Sequence, residues 1–360
     1  MASALADTAS RRSAVFHSLA IARIERLCED AVAVTFDVPP ELADVFAFRA
    51  GQYLTLRRGE ERRSYSICAA VGAAPRVGVR LVEGGLFSSW LVRDAAIGDR
   101  IDVLPPLGTF TPDVDVPGRH ALIAAGSGIT PVLSVAATLL AANADNRVTL
   151  LYGNRRTDTV MFAEELADLK NAYLDRLQLV HVLSREPRDV ELFSGRLDAE
   201  RLGLLVDAFL PADAVDHWWL CGPFGLVSSA RDVLAARGVP AERVHRELFY
   251  VDEPPPEPVR HDESASDGPA SEVTVVLDGR ATTLTLPSDQ PILDAAQRVR
   301  ADLPFACKGG VCGTCRAKVT AGSVRMRRNY ALEQHELDAG FVLTCQSLPT
   351  TDQVTVDYDA

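Results

Sequence analysis

Residues 306–315 read ACKGGVCGTC and decide the fold of the last quarter of the chain. Three cysteines of this loop and one further along form a single motif: Cys307, Cys312, Cys315 and Cys345. Their spacing, C-x4-C-x2-C followed by a distant fourth cysteine, is that of a plant-type [2Fe–2S] cluster. Gly309, Gly310 and Gly313 allow tight turns and leave amides free to hydrogen-bond sulfur. We therefore predict an iron–sulfur cluster on these four cysteines.

A structural zinc site is the alternative interpretation of four cysteines. Zinc usually takes two C-x2-C pairs, and only Cys312 and Cys315 have that spacing here. The other cysteines are scattered, and the total of seven is odd, so a disulfide framework is not expected. The spacing favours the cluster over zinc.

Length and composition indicate a protein of two or three domains with an acidic surface. The chain has 360 residues, 47% of them hydrophobic, and a net charge of −12. Single hydrophobic cores stop growing at about 250–300 residues. The acidic balance argues against nucleic acid or anionic membrane as the main partner, and no stretch is apolar enough to span a bilayer. We expect a cytoplasmic protein.

The domain boundaries follow from changes in residue pattern. A linker rich in Pro, Ser and acidic residues, DEPPPEPVRHDESASDGPAS, covers 252–271 and has almost nothing to bury. We predict a disordered tail over 1–15, an antiparallel β-barrel over 16–114, a nucleotide-binding domain over 115–251, and a C-terminal cluster domain over 272–360.

Hydrophobic periodicity supports this division. Short β-rich runs punctuated by Pro and Gly favour an antiparallel barrel before residue 115. Strands then alternate with amphipathic helices, which predicts a parallel sheet with helices on both faces. In the last domain, Asp278-Gly279 suits a type I′ hairpin turn. A helix is expected next, with Asp289 as its N-cap and Pro291 near its first position.

A glycine loop, AAGSGITP at 124–131, joins a buried strand to a helix. Gly126 and Gly128 allow backbone to approach a pyrophosphate, Thr130 is expected to cap the helix, and Pro131 suits its first position. Amides at a helix start favour phosphate binding. The pattern is not G-x-G-x-x-G, so a plain strand–helix turn is the alternative.

Polar residues follow other predicted strands, at the edge where open α/β sheets bind ligands. Cys221 and Gly222 end one strand, and Arg155 and Arg185 follow two others. Arginines there are suited to holding a 2′-phosphate, which favours NADPH over NADH. Solvated loop charges are the alternative.

Two segments of the barrel are candidates for flavin binding. Arg63 and Tyr65 alternate on a predicted strand, where they are suited to a flavin phosphate and a ring face. Gly85 precedes a short helix whose amides could hold a second phosphate. These residues alone indicate little more than a strand and a turn. The stronger argument is that a hydride donor delivers two electrons while the cluster takes one, so a flavin is needed between them.

Taken together, the motifs RSYSI, GLFS, GSGITP, CGP and SRE resemble those of the ferredoxin–NADP reductase superfamily. The resemblance extends from about residue 16 to the end of the chain. It implies roles for the following residues: Arg63, Tyr65, Ser66, Gly85 and Ser88 at the flavin; Gly126, Gly128, Thr130, Arg155, Ser184, Arg185 and Gly222 at the nucleotide; Cys221, Glu247 and Phe249 near the site of hydride transfer.

The same resemblance implies the fold, cofactors and partner. It implies a C-terminal β-grasp ferredoxin domain, and it implies NADPH, FAD and a [2Fe–2S] cluster, although related dioxygenase reductases of this domain order use FMN. The expected partner is the di-iron oxygenase component of a multicomponent system. A reductase for another ring hydroxylase and a flavin-binding redox sensor are the alternatives.

Overall fold

The computed structural model describes residues 15–59, 61–250, 270–300 and 302–360. The chain divides into two compact units. One comprises Ser18–Glu253, and the other includes Pro254–Ala360. Most of the predicted tail and linker lies outside the described residues. The first strand of the second unit begins at Ala270, two residues before the predicted start of the cluster domain at residue 272.

An antiparallel barrel forms the first part of the larger unit. In chain order it contains β1 (His17–Cys28), β2 (Ala31–Asp37), β3 (Tyr53–Arg58), β4 (Glu61–Ser66), β5 (Arg76–Arg80), helix α1 (Leu86–Arg93) and β6 (Arg100–Val103). The strand order is β4-β3-β6-β1-β2-β5. An antiparallel bridge between Ile67 and Val77 closes the sheet on itself.

A parallel sheet forms the second part. Its strands are β7 (Arg119–Ala125), β8 (Arg147–Asn154), β9 (Leu177–Leu183), β10 (His217–Pro223) and β11 (Val244–Tyr250), in the order β11-β10-β7-β8-β9. The helices between them are α2 (Ile129–Ala142), α3 (Ala163–Ala172), α4 (Ala199–Phe209) and α5 (Phe224–Ala236). The edge strand β11 has no counterpart among the sequence-predicted strands.

Direct contacts hold the barrel against the parallel sheet. On β2, Val32 and Val34 belong to the barrel core, whereas Ala31 and Ala33 belong to the core around α2. Small side chains on that face let the α2 core approach the strand closely. Arg76 of the barrel also binds both carboxylate oxygens of Glu165, at 2.6 and 2.7 Å.

The smaller unit has a mixed sheet. In chain order it contains β12 (Ala270–Leu277), β13 (Arg280–Pro287), α6 (Ile292–Ala296), β14 (Arg316–Ala321), β15 (Val324–Met326), α7 (Gln334–Asp338), β16 (Phe341–Leu343), β17 (Ser347–Pro349) and β18 (Gln353–Asp357). The main order is β13-β12-β18-β14-β16, with β12 and β18 parallel.

Local details confirm some sequence predictions and correct others. Asp278 and Gly279 have φ of 53° and 68°, as a type I′ turn requires. Pro291, not Asp289, is the N-cap of α6. Thr130 does not cap α2, because Gly128 occupies that position and the Thr130 hydroxyl donates back to the Ser127 carbonyl at 2.9 Å.

The fold class is confirmed: an antiparallel barrel, a parallel sheet with helices, and a C-terminal mixed α+β unit. Within the described ranges, no helix has the length and apolar character needed to cross a membrane.

Candidate functional site

The four motif cysteines form two thiol pairs. Cys307 is hydrogen-bonded to Cys312, and Cys315 to Cys345. No three His, Cys, Asp or Glu side chains of the described chain are grouped as a metal ion would need, and a structural zinc requires four ligands around one centre. A two-iron cluster on four thiolates takes two at each iron. The two-and-two arrangement therefore fits a [2Fe–2S] cluster better than zinc.

The cysteine loop achieves its turns partly as predicted. Gly310 and Gly313 have φ of 80° and 68°, but the third left-handed residue is Lys308, with φ of 51°, rather than Gly309. Gly309 instead donates its amide to the Cys307 sulfur at 3.3 Å, and the Cys312 amide donates to the same sulfur at 3.4 Å. Such donors stabilise negative charge on a ligating sulfur.

Hydrogen bonding and burial also change the pKa of three of these thiols: Cys307, Cys312 and Cys315. The hydrogen bond from Cys312, supported by backbone amides, lowers the pKa of Cys307 to about 5. The pKa of Cys312 is raised by its bond to Cys307 and by burial, and that of Cys315 by Cys345 and burial. Metal binding displaces the thiol protons, because thiolates are the ligands.

The candidate flavin residues lie on β4 and at the start of α1. Tyr65 is half-buried, and its ring centroid is 6.0 Å from that of Phe87. Gly85 is the N-cap of α1, where an added Cβ would come within 2.8 Å of the Ser88 hydroxyl oxygen. Arg63 is exposed and pairs with Glu61 at 2.9 Å. The glycine turn and the exposed arginine suit the phosphate groups of a flavin, and the Tyr65 ring suits contact with the flavin ring.

Ser66 and Glu247, 181 positions apart in the sequence, meet in the folded chain. The Ser66 hydroxyl donates to Glu247 Oε1 at 2.6 Å. Glu247 lies on β11 in register with Cys221 on β10, and Cys221 is fully buried. Phe249, two residues further along β11, is 37% exposed. The structure thus brings together one barrel residue and the ends of two parallel strands.

Burial gives the Glu247 carboxyl an unusual acidity. Although Glu247 keeps some accessible surface, protein surrounds its carboxyl group, and this desolvation raises its pKa to about 7 against the opposing effect of the Ser66 hydrogen bond. Desolvation, and then the nearby Glu247, raises the pKa of the Cys221 thiol. A carboxyl group that titrates near neutrality can hold or release a proton at physiological pH.

The glycine loop packs directly on the Cys221 strand end. Gly126 has φ of 55°. A Cβ on Gly128 would lie 2.3 Å from the Cys221 carbonyl oxygen. Gly222, with φ of 155°, leaves an added Cβ only 3.2 Å from the Ala125 amide nitrogen. The glycine loop and the Cys221–Gly222 strand end can therefore pack this closely only because Gly128 and Gly222 have no side chains.

The arginines after β8 and β9 lie on adjacent loops. The Arg185 amide donates to the Arg155 carbonyl at 2.8 Å, and Ser184 donates to Asn154 at 2.9 Å. Both arginine side chains are exposed. Arg156, the next residue after Arg155, pairs with Asp158 at 3.2 Å. Arg155 and Arg185 are therefore the arginines whose positions suit an anionic ligand.

Two residues at this edge were missed by sequence reasoning. Arg80 of β5 donates to the Thr159 carbonyl, and its Nη1 lies 3.3 Å from the position of a Cβ on Gly126. The Tyr152 hydroxyl donates to the Gly126 carbonyl at 3.0 Å. The one available signal was that an arginine, Arg80, ends the short β-rich run RVGVR.

Comparison with known proteins identifies the family. The description "2Fe-2S iron-sulfur cluster binding domain" matches residues 275–350, and "Oxidoreductase NAD-binding domain" matches residues 122–232. One subunit of the 1,2-phenylacetyl-CoA epoxidase of Escherichia coli (strain K12) is 44% identical over 96% of this chain and 98% of that protein. The chain belongs to the ferredoxin reductase family. The ferredoxin reductase component of the Mycobacterium tuberculosis 3-ketosteroid-9-alpha-monooxygenase is 38% identical over 95% of each chain.

This ferredoxin reductase is an NAD(P)H-dependent oxidoreductase of the kind that serves oxygenases, with FAD and a [2Fe–2S] cluster. The predicted family and enzyme class are confirmed, as are FAD, the [2Fe–2S] cluster and a nicotinamide nucleotide, NAD(P)H. Phthalate dioxygenase reductase has a similar fold, with a TM-score of 0.60 and 23% identity over 95% of this chain and 98% of that one. An intact type IV self-sufficient cytochrome P450 monooxygenase aligns with a TM-score of 0.68 and 23% identity over 95% of this ferredoxin reductase and 41% of that chain.

The raised pKa of Glu247 predicts a pH-dependent stability of the ferredoxin reductase. A carboxyl whose folded pKa, about 7, exceeds its ordinary value of 4.5 contributes stability below about pH 4.5 that is lost as pH rises through 7. Glu247→Gln should remove this loss. As the pH rises from 5 to 8, we expect the unfolding free energy of the variant to increase relative to that of the native protein, by at most about 3 kcal/mol.

Tryptophan fluorescence is the measurement, since Trp90, Trp218 and Trp219 all lie in the larger unit. Glu186→Gln is the control. Glu186 accepts hydrogen bonds from Thr157 that lower its pKa, so this substitution should not change how stability varies between pH 5 and 8. Stability curves of the native and Glu247→Gln proteins that stay parallel from pH 5 to 8 would contradict the assignment.

Proposed function

We propose that this reductase carries electrons from NADPH through FAD to the Cys307, Cys312, Cys315 and Cys345 cluster, and then to a di-iron oxygenase acting on phenylacetyl-CoA. The observation that carries the substrate class is the 44% identity to the epoxidase component over nearly its whole length. Cysteines that are not joined in disulfides are typical of cytoplasmic proteins, and we place this protein in the cytoplasm.

Hydride transfer would occur where the barrel meets the ends of β10 and β11. Bound flavin accepts two electrons and releases them singly. Arg63 and the Gly85–Ser88 turn would hold its phosphates, and Tyr65 would lie on a ring face. Ser66 is held by Glu247, so the hydroxyl is oriented before the cofactors arrive. Cys221 and Phe249 would border the nicotinamide.

Glu247 would supply a proton reservoir at this position. With a pKa of about 7, its carboxyl is partly protonated at neutral pH, and Ser66 Oγ is its hydrogen-bonded neighbour. In its ionised form the carboxylate accepts the Ser66 hydroxyl hydrogen bond at Oε1 over 2.6 Å, and in its protonated form the carboxyl group holds the proton itself. Hydride transfer itself needs alignment of donor and acceptor rather than an acid or base.

Nucleotide binding would use the glycine loop and the two exposed arginines. Gly126, Gly128 and Gly222 leave backbone open to a pyrophosphate, and Thr130 stabilises the loop through Ser127. Ser184, Arg155 and Arg185 would contact the 2′-phosphate, since charge-assisted bonds to phosphate are strong and directional.

Substituting the exposed arginines should change cofactor preference. For Arg155→Ala or Arg185→Ala we expect kcat/KM for NADPH to fall about 10–100-fold, the loss of one charged hydrogen bond of about 1.5–3 kcal/mol, with NADH nearly unaffected. Arg156→Ala is the matched control, because its side chain is already paired with Asp158. Equal losses with NADH and NADPH would refute the 2′-phosphate role.

The order of electron transfer has its own test. Cys312→Ser should abolish the visible absorbance of the cluster and reduction of one-electron acceptors that depend on it, while NADPH still bleaches the flavin in stopped-flow experiments. Cys28→Ser, outside the motif, should change neither signal. Loss of flavin bleaching in Cys312→Ser with FAD still bound would show that the serial order is wrong.

A basic segment borders the cluster loop. Arg325 is exposed, and Arg327 and Arg328 are half-buried. An added Cβ on Gly310 would lie 3.2 Å from the Arg328 carbonyl oxygen. In a chain of net charge −12, this concentration of positive charge beside the cluster favours docking to an acidic partner surface. Two other nearby cations, Lys308 and Arg316, are paired within the unit, with Asp294 and Glu336.

Reconstitution tests both the partner and the docking segment. With a phenylacetyl-CoA epoxidase oxygenase component, the native reductase should support NADPH-dependent oxygenation, and Arg325→Glu with Arg328→Glu should lower it without changing cytochrome c reduction. Arg280→Glu, at the hairpin turn, is the matched control. Absence of oxygenation with the native protein would contradict the substrate class, whereas full activity of the double variant would contradict the docking role.

A further inference from the structure

Gln346 is a fully buried amide that follows the last cluster cysteine. Its Nε2 donates to the Lys308 carbonyl at 2.7 Å and lies 3.8 Å from the Cys345 sulfur. One side chain therefore connects the cysteine loop to the distant fourth cysteine. We propose that Gln346 is a positioning residue that holds these two segments together and raises the midpoint potential of the cluster.

The surroundings determine which way the amide points. The Lys308 carbonyl oxygen and the Cys345 sulfur are the acceptors in the two contacts of Nε2, so the NH2 end faces them. The Oε1 atom is buried without a partner among the described residues. A buried amide that leaves its oxygen unsatisfied costs stability, and the NH2 contacts at the cluster loop offset that cost.

The amide also restrains a strained residue. Lys308 has φ of 51°, a left-handed conformation that is strained for a residue with a Cβ. Three contacts hold it there: the Gln346 bond to its carbonyl, an ion pair with Asp294 at 2.9 Å, and the Phe305 ring 4.9 Å from its ammonium. Gly310 lies against the Gln346 side chain, since a Cβ added to Gly310 would be 3.1 Å from Gln346 Cγ.

The effect on potential follows from charge. Reduction adds one electron to the cluster, and a donor directed at a ligating sulfur stabilises the more negative state. The interaction is strengthened by burial, because the local dielectric is low. Loss of the amide should therefore make the cluster harder to reduce.

The test is a spectroelectrochemical titration of the holoprotein. Gln346→Met keeps the volume and removes both donors. We expect its midpoint potential to become more negative by about 59 mV, equivalent to a tenfold change in the one-electron equilibrium, at native iron content. Gln346→Glu, which places an acceptor beside two acceptors, should shift it further in the same direction. Gln290→Met, a buried glutamine of the same unit, should leave the potential unchanged.

Two outcomes would overturn the proposal. One is an unchanged potential in a Gln346→Met protein with full iron content, which would reduce Gln346 to a packing role. The other, if the Met variant does not retain iron, is a native potential in Gln346→Asn, whose shorter amide cannot make both contacts. The inference rests on the proposed cysteine ligation, and failure of that ligation would appear separately, as iron retained after Cys312→Ser.

Discussion

The hydrogen bond between Ser66 and Glu247 joins the end of a barrel strand to the edge strand of the parallel sheet. The proposed site of hydride transfer depends on it, because flavin and nicotinamide residues come from these two different sheets. Burying a carboxyl group to make this contact is costly. Its pKa of about 7 limits the cost, since the group can remain partly protonated at neutral pH.

Close backbone approach is the second requirement of the larger unit. Gly128 lies so near the Cys221 carbonyl that any side chain would collide with it, and Gly78 of β5 similarly leaves room for Thr130 and Phe162. Arg76 and Arg80 then connect the same barrel strand to Glu165 and Thr159. The barrel and the parallel-sheet part of the unit are therefore coupled through one strand, β5, as well as through Ser66.

The smaller unit contains the cluster ligands, whereas the residues proposed for hydride transfer all lie in the larger unit. Its thiols are arranged as two pairs, and its buried polar side chains serve the loop around them. Thr344 donates to the Cys315 carbonyl at 3.0 Å and bonds the Tyr358 hydroxyl at 2.7 Å, while Gln346 connects Lys308 with Cys345. The C-terminal end of the chain thereby supports the cluster loop, although it supplies no ligand.

The sequence by itself determined the cluster motif, the three-part order and most helices and strands. Cysteine spacing, the alternation of strands and helices, and the Asp278-Gly279 turn are local signals, and each depends on residues close together in the chain. It could not reveal the edge strand β11, the N-caps at Gly128 and Pro291, or the left-handed Lys308. Only the tertiary structure decided that Ser66 meets Glu247, that the exposed Arg156 pairs with Asp158, and that Gln346 reaches the cysteine loop. These contacts join residues up to 181 positions apart, and their geometry is set by packing between sheets and loops, which no local pattern encodes.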